Sequence, residues 1–220
     1  MLLAAAPSPL LLGMLLVVLG SAAAAQAAPA SLDQREGDFI VRDFRFQNGE
    51  VLPEVRLHHT TFGRPARDQA GHVTNAVLLL HGTTGTGKSF LAPSLAGELF
   101  GPGQVLDASR WFVVLPDGLG RGGSSKPSDG LRARFPRYGY RDVVTAQHLL
   151  VTRHLGIDHL RAVVGTSMGG MQTWLWGELY PDMMSSVIIP AGDRTMGHMT
   201  LTQAAVWKSH LEALLRASPR

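Results

Sequence analysis

The sequence predicts an α/β fold with a mostly parallel sheet. Three observations carry this. "AVLLL" (76–80) and "WFVVLPD" (111–117) are continuous apolar runs, as expected of strands buried on both faces. From residue 76 onward such runs alternate with stretches of helical period, the pattern of a parallel sheet with crossover helices. The chain has 220 residues, 45% hydrophobic and 17% charged, enough to bury one proper core.

The elements follow in order. "FIVRDFRFQNGEVLPEVRLHHTTFG" (39–63) reads as two strands joined at Asn48-Gly49, a hairpin turn signal. "RPARDQAGHVTN" (64–75) is a polar loop before the first buried strand. In "KSFLAPSLAGELF" (88–100) Pro93 sits a turn in, where it removes a helical hydrogen bond or marks a late helix start. "RDVVTAQHLLVTRHLGI" (141–157) places Val143, Val144, His148, Leu149 and Val151 toward one side of a helix, with Gly156 as its stop. "HLRAVVGTS" (159–167) is a strand running into a turn, and "GGMQTWLWGELYPD" (169–182) is a helix ending before Pro181. "SSVIIPA" (185–191) is a strand. "TLTQAAVWKSHLEALLRA" (200–217) is a closing amphipathic helix with Leu201, Ala205, Trp207, Leu211 and Leu215 as core contacts.

The N-terminus stands apart. The apolar run Leu10–Leu19 is short for a membrane span and is followed by small residues suited to signal peptidase. Residues 1–27 read as a signal peptide, cleaved after Ala25 or Ala27, or as an uncleaved anchor, since no basic residue precedes the run. Residues 28–220 then form one domain, periplasmic or secreted. Lys and Arg number 20 against 17 acids, scattered along the chain, which speaks for a solvated surface rather than a nucleic-acid footprint. The absence of cysteine excludes disulfides, thiolate metal sites and a cysteine nucleophile.

Two motifs compete for the chemistry. Gly82, Gly87, Lys88 and Ser89 spell G-x-x-x-x-G-K-S, the phosphate-cradling loop of nucleotide hydrolases, with Asp117 as a matching magnesium ligand. Against it, Gly165-Thr166-Ser167-Met168-Gly169 is G-x-S-x-G set between a strand and a helix. That turn strains the serine backbone and leaves no room for side chains beside it. It lifts the Ser167 hydroxyl into the open and aims the Met168 N–H at a developing oxyanion. A second N–H is needed from the loop after an earlier strand, and "LLLHGTT" offers Thr83. The serine reading explains more residues. An exported nucleotide hydrolase would also lack its substrate.

The chain resembles the homoserine O-acetyltransferase-like family of the α/β-hydrolases. The resemblance covers most of residues 38–190. It rests on "NAVLLLHGTTG", "WFVVLPDGLGRGGSSKPSDG", "FPRYGYRDVVTAQHLLVTRHLGI", "VVGTSMGGMQTWLWGELYPD" and "SVIIP". It implies an α/β-hydrolase fold, no cofactor, a small-molecule acyl substrate, Ser167 as nucleophile, and a histidine and an acid behind it. In "IPAGDRTMGHMTLTQAAVWKSHLEALL" the Gly-His pair matches the family's catalytic histidine, which makes His198 the base. The lid and the acid-bearing segment normally found between these stretches are missing, so the chain reads as internally shortened. Asp193, two residues past "SVIIPA", is the candidate substitute acid; Asp117 reads as a cap of the "PDGLGRGG" turn and Asp182 as a turn residue. Loss of the lid implies an open pocket, and loss of later strands a bare sheet edge open to dimerisation. Export favours hydrolysis over homoserine acetylation, whose substrates are cytosolic. A catalytically inactive shortened paralogue is the remaining alternative. His58 and His59 are neighbours on a strand and cannot share a metal. Trp174 and Trp176 read as core and groove packing. Arg121, Lys126 and Arg137 read as solvated surface rather than contacts to an acidic substrate.

Overall fold

A computed structural model describes residues 33–190 and 197–217. The leader and Asp193 lie outside the described residues. Two long strands, β1 (Arg35–Arg45) and β2 (Val51–Phe62), form the antiparallel hairpin around Asn48-Gly49. Then come β3 (Ala76–Leu80), α1 (Pro93–Leu99), β4 (Phe112–Pro116), α2 (Tyr140–Leu149), β5 (Ala162–Gly165), α3 (Met168–Leu179), β6 (Val187–Ile188) and α4 (Ala204–Ala217). The sheet order is β1-β2-β4-β3-β5-β6. β4, β3, β5 and β6 run parallel, so the predicted α/β-hydrolase architecture of a mostly parallel sheet with flanking helices holds.

Alternation of side chains along the central strands builds two cores. Val77 and Leu79 of β3 join Val113, Leu115, Ala162 and Val164 on one face, covered by α1 and α4. Leu78 and Leu80 join Val114, Val144, Val163 and Trp176 on the other, covered by α2 and α3. A strand with only apolar residues fits because both faces are roofed. α4 docks through Ala204, Trp207, Leu211 and Leu215. Ala205 is exposed and Ala204 takes its expected place, because the buried stripe steps by three and then four residues. α1 begins at Pro93, whose missing N–H costs nothing at the first helical position. α2 widens into a π-turn over Leu150–His154, and Gly156 at φ +61° ends it. Among the described residues the sheet ends at the two-residue β6, and Val187 and Ile189 are exposed at that edge. Among the described residues no helix is long and apolar enough to cross a membrane.

Candidate active site

β5 delivers the chain into the turn at Gly165, and α3 leaves it at Met168. Between them Ser167 stands at φ 54°, ψ −118°, a conformation that side-chain-bearing residues rarely adopt. The strain costs about 1–3 kcal/mol and persists because both flanks are clamped. A Cβ on Gly165 would lie 2.1 Å from the Gly169 carbonyl oxygen, and one on Gly169 would lie 2.0 Å from that of Leu80. The N–H groups of Gly169 and Gly170 close the turn onto the carbonyls of Thr166 and Ser167. Met168 N–H, at the first position of α3, is one of the helix's orphan donors.

The loop after β3 passes close above this turn. A Cβ on Gly82 would come within 3.4 Å of Ser167 Cβ. His81 holds that loop in place. Its Nδ1–H donates to the Gly82 carbonyl (2.8 Å), and its Nε2 accepts the Gly118 N–H (2.9 Å). These partners define the neutral Nδ1–H tautomer. Burial pushes the His81 pKa down, which the hydrogen bond to Gly82 only partly opposes. Thr83, the next residue, is exposed, and its N–H has no protein acceptor among the described residues.

A cavity of about 550 Å³ opens between these loops. Thr83, Ser167 and His198 all line it, with Phe90, Leu95 and Leu201 as apolar wall. Its size suits a small molecule. His198 opens a short 3-10 turn, His198–Thr202, entered through Gly197 at φ +54°. The structure thus brings Ser167, Thr83 and His198 to one cavity. No hydrogen bond joins Ser167 to His198 among the described residues. A second depression, lined by Tyr140, Gly170, Met171, Trp174 and Ile189, meets the first at Ser167.

The other carboxylates near the motifs are occupied structurally. Asp117 is buried; its two oxygens accept the N–H groups of Gly87 and Gly123, each at 2.7 Å. It braces the turn, as the sequence implied. Asp182 is exposed in a 3-10 turn after Pro181.

The competing phosphate-loop reading fails on the same geometry. Gly87–Leu91 is a 3-10 turn rather than the start of an α-helix, and its first N–H is spent on Asp117. Lys88 pairs with Glu36 at 2.7 Å and holds that carboxyl below its ordinary value. Ser89 Oγ accepts the Thr86 N–H. The N–H groups of Gly85, Thr86, Gly87 and Ser89, which a phosphate would need, are already used. His58 and His59 point to opposite faces, His58 to Asp38 and His59 into the interior against His154. Among the described residues no three metal-ligating side chains converge.

Three features escaped the sequence reading. The His81–Gly118 link joins residues 37 positions apart. Gln147 accepts from the buried Trp176 indole and donates to Gln172, fastening α2 to α3 beneath the turn. Trp174 is 68% exposed beside Ser167, while Trp176 is fully buried. The helical step of two residues between the tryptophans is the signal that they cannot share a face.

Burial also lowers the pKa values of His59 and His148, with the nearby His154 adding to the effect at His59 and Arg153 to that at His148. With His81, three histidines are therefore held neutral in the fold below the ordinary value of 6.5. Unfolded chains take up those protons first, so stability is complete above that value and drains away as pH falls through it. The urea midpoint is expected to drop between about pH 7 and about pH 5, in the histidine range. A midpoint that does not move over this interval refutes the effect.

Residues 75–216 match the family described as the alpha/beta hydrolase fold, and the chain belongs to that family. Its similarity to homoserine O-acetyltransferases is equally plain. It is 37% identical over 209 residues to the homoserine O-acetyltransferase of Leifsonia xyli subsp. xyli, covering 84% of this chain and 50% of that protein. It is 35% identical over 151 residues to a probable acyltransferase of Methanothermobacter thermautotrophicus, covering 68% of this chain and 46% of that protein. Among solved structures, the acetyl esterase MekB superposes with a TM-score of 0.60 at 27% identity, over 73% of this chain and 46% of that one. The chain spans about half the length of the curated relatives it matches.

Proposed function

We propose that this chain is a serine-dependent acyl hydrolase or acyltransferase acting on a small ester or acyl substrate. The observation that carries the reading is the strained Ser167 at the mouth of a cavity that His198 also lines. In this reading Ser167 Oγ attacks the acyl carbonyl carbon while His198 takes the hydroxyl proton. The N–H groups of Thr83 and Met168 receive the charge that develops on the carbonyl oxygen. Collapse expels the alcohol or thiol, which leaves with the proton from His198. Water or an acceptor hydroxyl then attacks the acyl-serine, again deprotonated by His198, and frees the enzyme. Asp193 remains the proposed orienting acid on the sequence pattern alone. No step calls for a cofactor.

The resemblance to an acetyl esterase and the open cavity support hydrolysis. The relatives named homoserine O-acetyltransferase support the second reading, acetyl transfer to homoserine. The leader-like residues 1–27 support an exported protein and weigh toward hydrolysis. Labelling with a fluorophosphonate probe, followed by peptide mapping, tests the assignment. The label is expected on Ser167, absent from Ser167→Ala and sharply reduced in His198→Ala. A cooperatively folded chain that takes no label overturns it.

A further inference from the structure

The segment 118–141, from the end of β4 into the first residues of α2, carries six basic residues and one acid, Asp129. Asp129 is already paired with Lys126 at 2.7 Å and lies 3.7 Å from Arg56. Among the described residues, Arg121, Arg132, Arg134, Arg137 and Arg141 have no carboxylate within ion-pair distance, and all five are exposed. Two nearby carboxylates are buried and spent on backbone N–H groups: Asp142 on Gln47 and Gly139, Asp117 on Gly87 and Gly123. The segment is therefore a cationic rim with five arginines outside any ion pair among the described residues.

The same rim exposes apolar side chains. Leu131, Tyr138 and Tyr140 lie within it, each more than a third exposed. Tyr140 also lines the depression that contains Ser167, Trp174, Met171 and Ile189. There Trp174 is 68% and Met171 54% exposed. Arg121 shares a groove with Tyr138 and Tyr140, and Tyr140 carries the rim into this aromatic and aliphatic patch at the mouth of the site. Isolated exposed apolar residues need no explanation, but a contiguous group with a charged border does.

We propose that this rim docks onto an anionic lipid surface. Arginine guanidinium groups meet the negative headgroups. Tyrosine and tryptophan, apolar with a polar tip, settle at the interface. Met171 and Ile189 enter the acyl region, a role that neither a phosphodiester backbone nor stacked bases would give them. The surface does not depend on the roles assigned to Ser167 and His198, so it stands or falls separately from them.

Vesicle sedimentation tests it. The probes are phosphatidylcholine vesicles and vesicles of phosphatidylcholine mixed with phosphatidylglycerol, with all variants sharing one N-terminus. The wild type and Ser167→Ala are expected to bind the mixed vesicles alike and to release as salt is raised. The triple variant Arg132→Gln/Arg134→Gln/Arg137→Gln, all surface changes, is expected to bind about a hundredfold more weakly, about fivefold for each arginine. Trp174→Ser is expected to cost about tenfold. Equal binding to phosphatidylcholine alone, no binding, or binding indifferent to both variants overturns the proposal. So does tighter binding to a DNA oligonucleotide, or a stable dimer that shields Trp174 from an aqueous quencher.

Discussion

Gly169→Ala is expected to be among the most damaging single methyl additions the chain can suffer. The new Cβ would lie 2.0 Å from the Leu80 carbonyl oxygen, 2.5 Å from its carbon and 2.9 Å from the His81 carbonyl oxygen. All three are backbone atoms at the end of β3, a central strand bonded on both sides by β4 and β5. A flexible side chain would swing away; a strand held from both edges cannot. Relief must come from moving the start of α3, which also moves Ser167. Overpacking costs about 1–3 kcal/mol where side chains can adjust, and here the upper end is the floor. Against a total stability of about 5–15 kcal/mol, that shifts the urea midpoint down by about 1–2 M or leaves the chain insoluble. Gly97→Ala is the control. It lies exposed in α1 with nothing within 4 Å of the added carbon. It is expected to raise stability by about 0.5–1 kcal/mol through helix propensity. An unchanged midpoint for Gly169→Ala would mean that α3 does not press against the end of β3.

The second large effect is on turnover. Ser167→Ala and His198→Ala are each expected to lower kcat for an activated acetyl ester by about 10³–10⁶-fold, and the double variant to be no worse than either. Groups that act as a unit lose the whole effect when one is removed. Two independent contributions would multiply instead, and that result would refute the pairing of Ser167 with His198. Stability separates the chemistry from the fold. Ser167→Ala keeps the strained backbone at φ 54°, whereas Ser167→Gly removes the Cβ that makes it unfavourable. Ser167→Gly is therefore expected to be inactive yet more stable than Ser167→Ala, by about 1 kcal/mol. Equal melting of the two would show that the turn stores no strain.

Much of the fold was legible because it is encoded over short stretches. The apolar runs at 76–80 and 111–117 announced roofed strands, and of the two readings open for Pro93 the structure takes the late helix start. G-x-S-x-G announced the turn at Ser167, since positions 165 and 169 admit no Cβ. The Gly-His pair led to His198, which the fold carries to the cavity of Ser167. The phosphate-loop pattern shows the limit of such reading. Its residues are all present, but their donors are spent on Asp117 and Glu36, which lie far away in sequence. The basic residues likewise looked scattered. Only the pairing of Asp129 and the capping role of Asp142 reveal that five arginines are left without partners among the described residues.

The sequence by itself determined the α/β class, the hairpin and the glycine-flanked turn at Ser167. These follow from side-chain size, backbone freedom and hydrophobic period within a few neighbours. Tertiary structure alone decided that β4 lies between β2 and β3, that His81 ties the Gly82 loop to Gly118, and that Ala204 rather than Ala205 is buried. It also decided which carboxylates are already occupied. Such outcomes depend on hydrogen bonds between residues as far apart as Gln47 and Asp142, 95 positions along the chain. No local preference specifies those partners. They are chosen when the two cores close and buried polar groups must each find a mate.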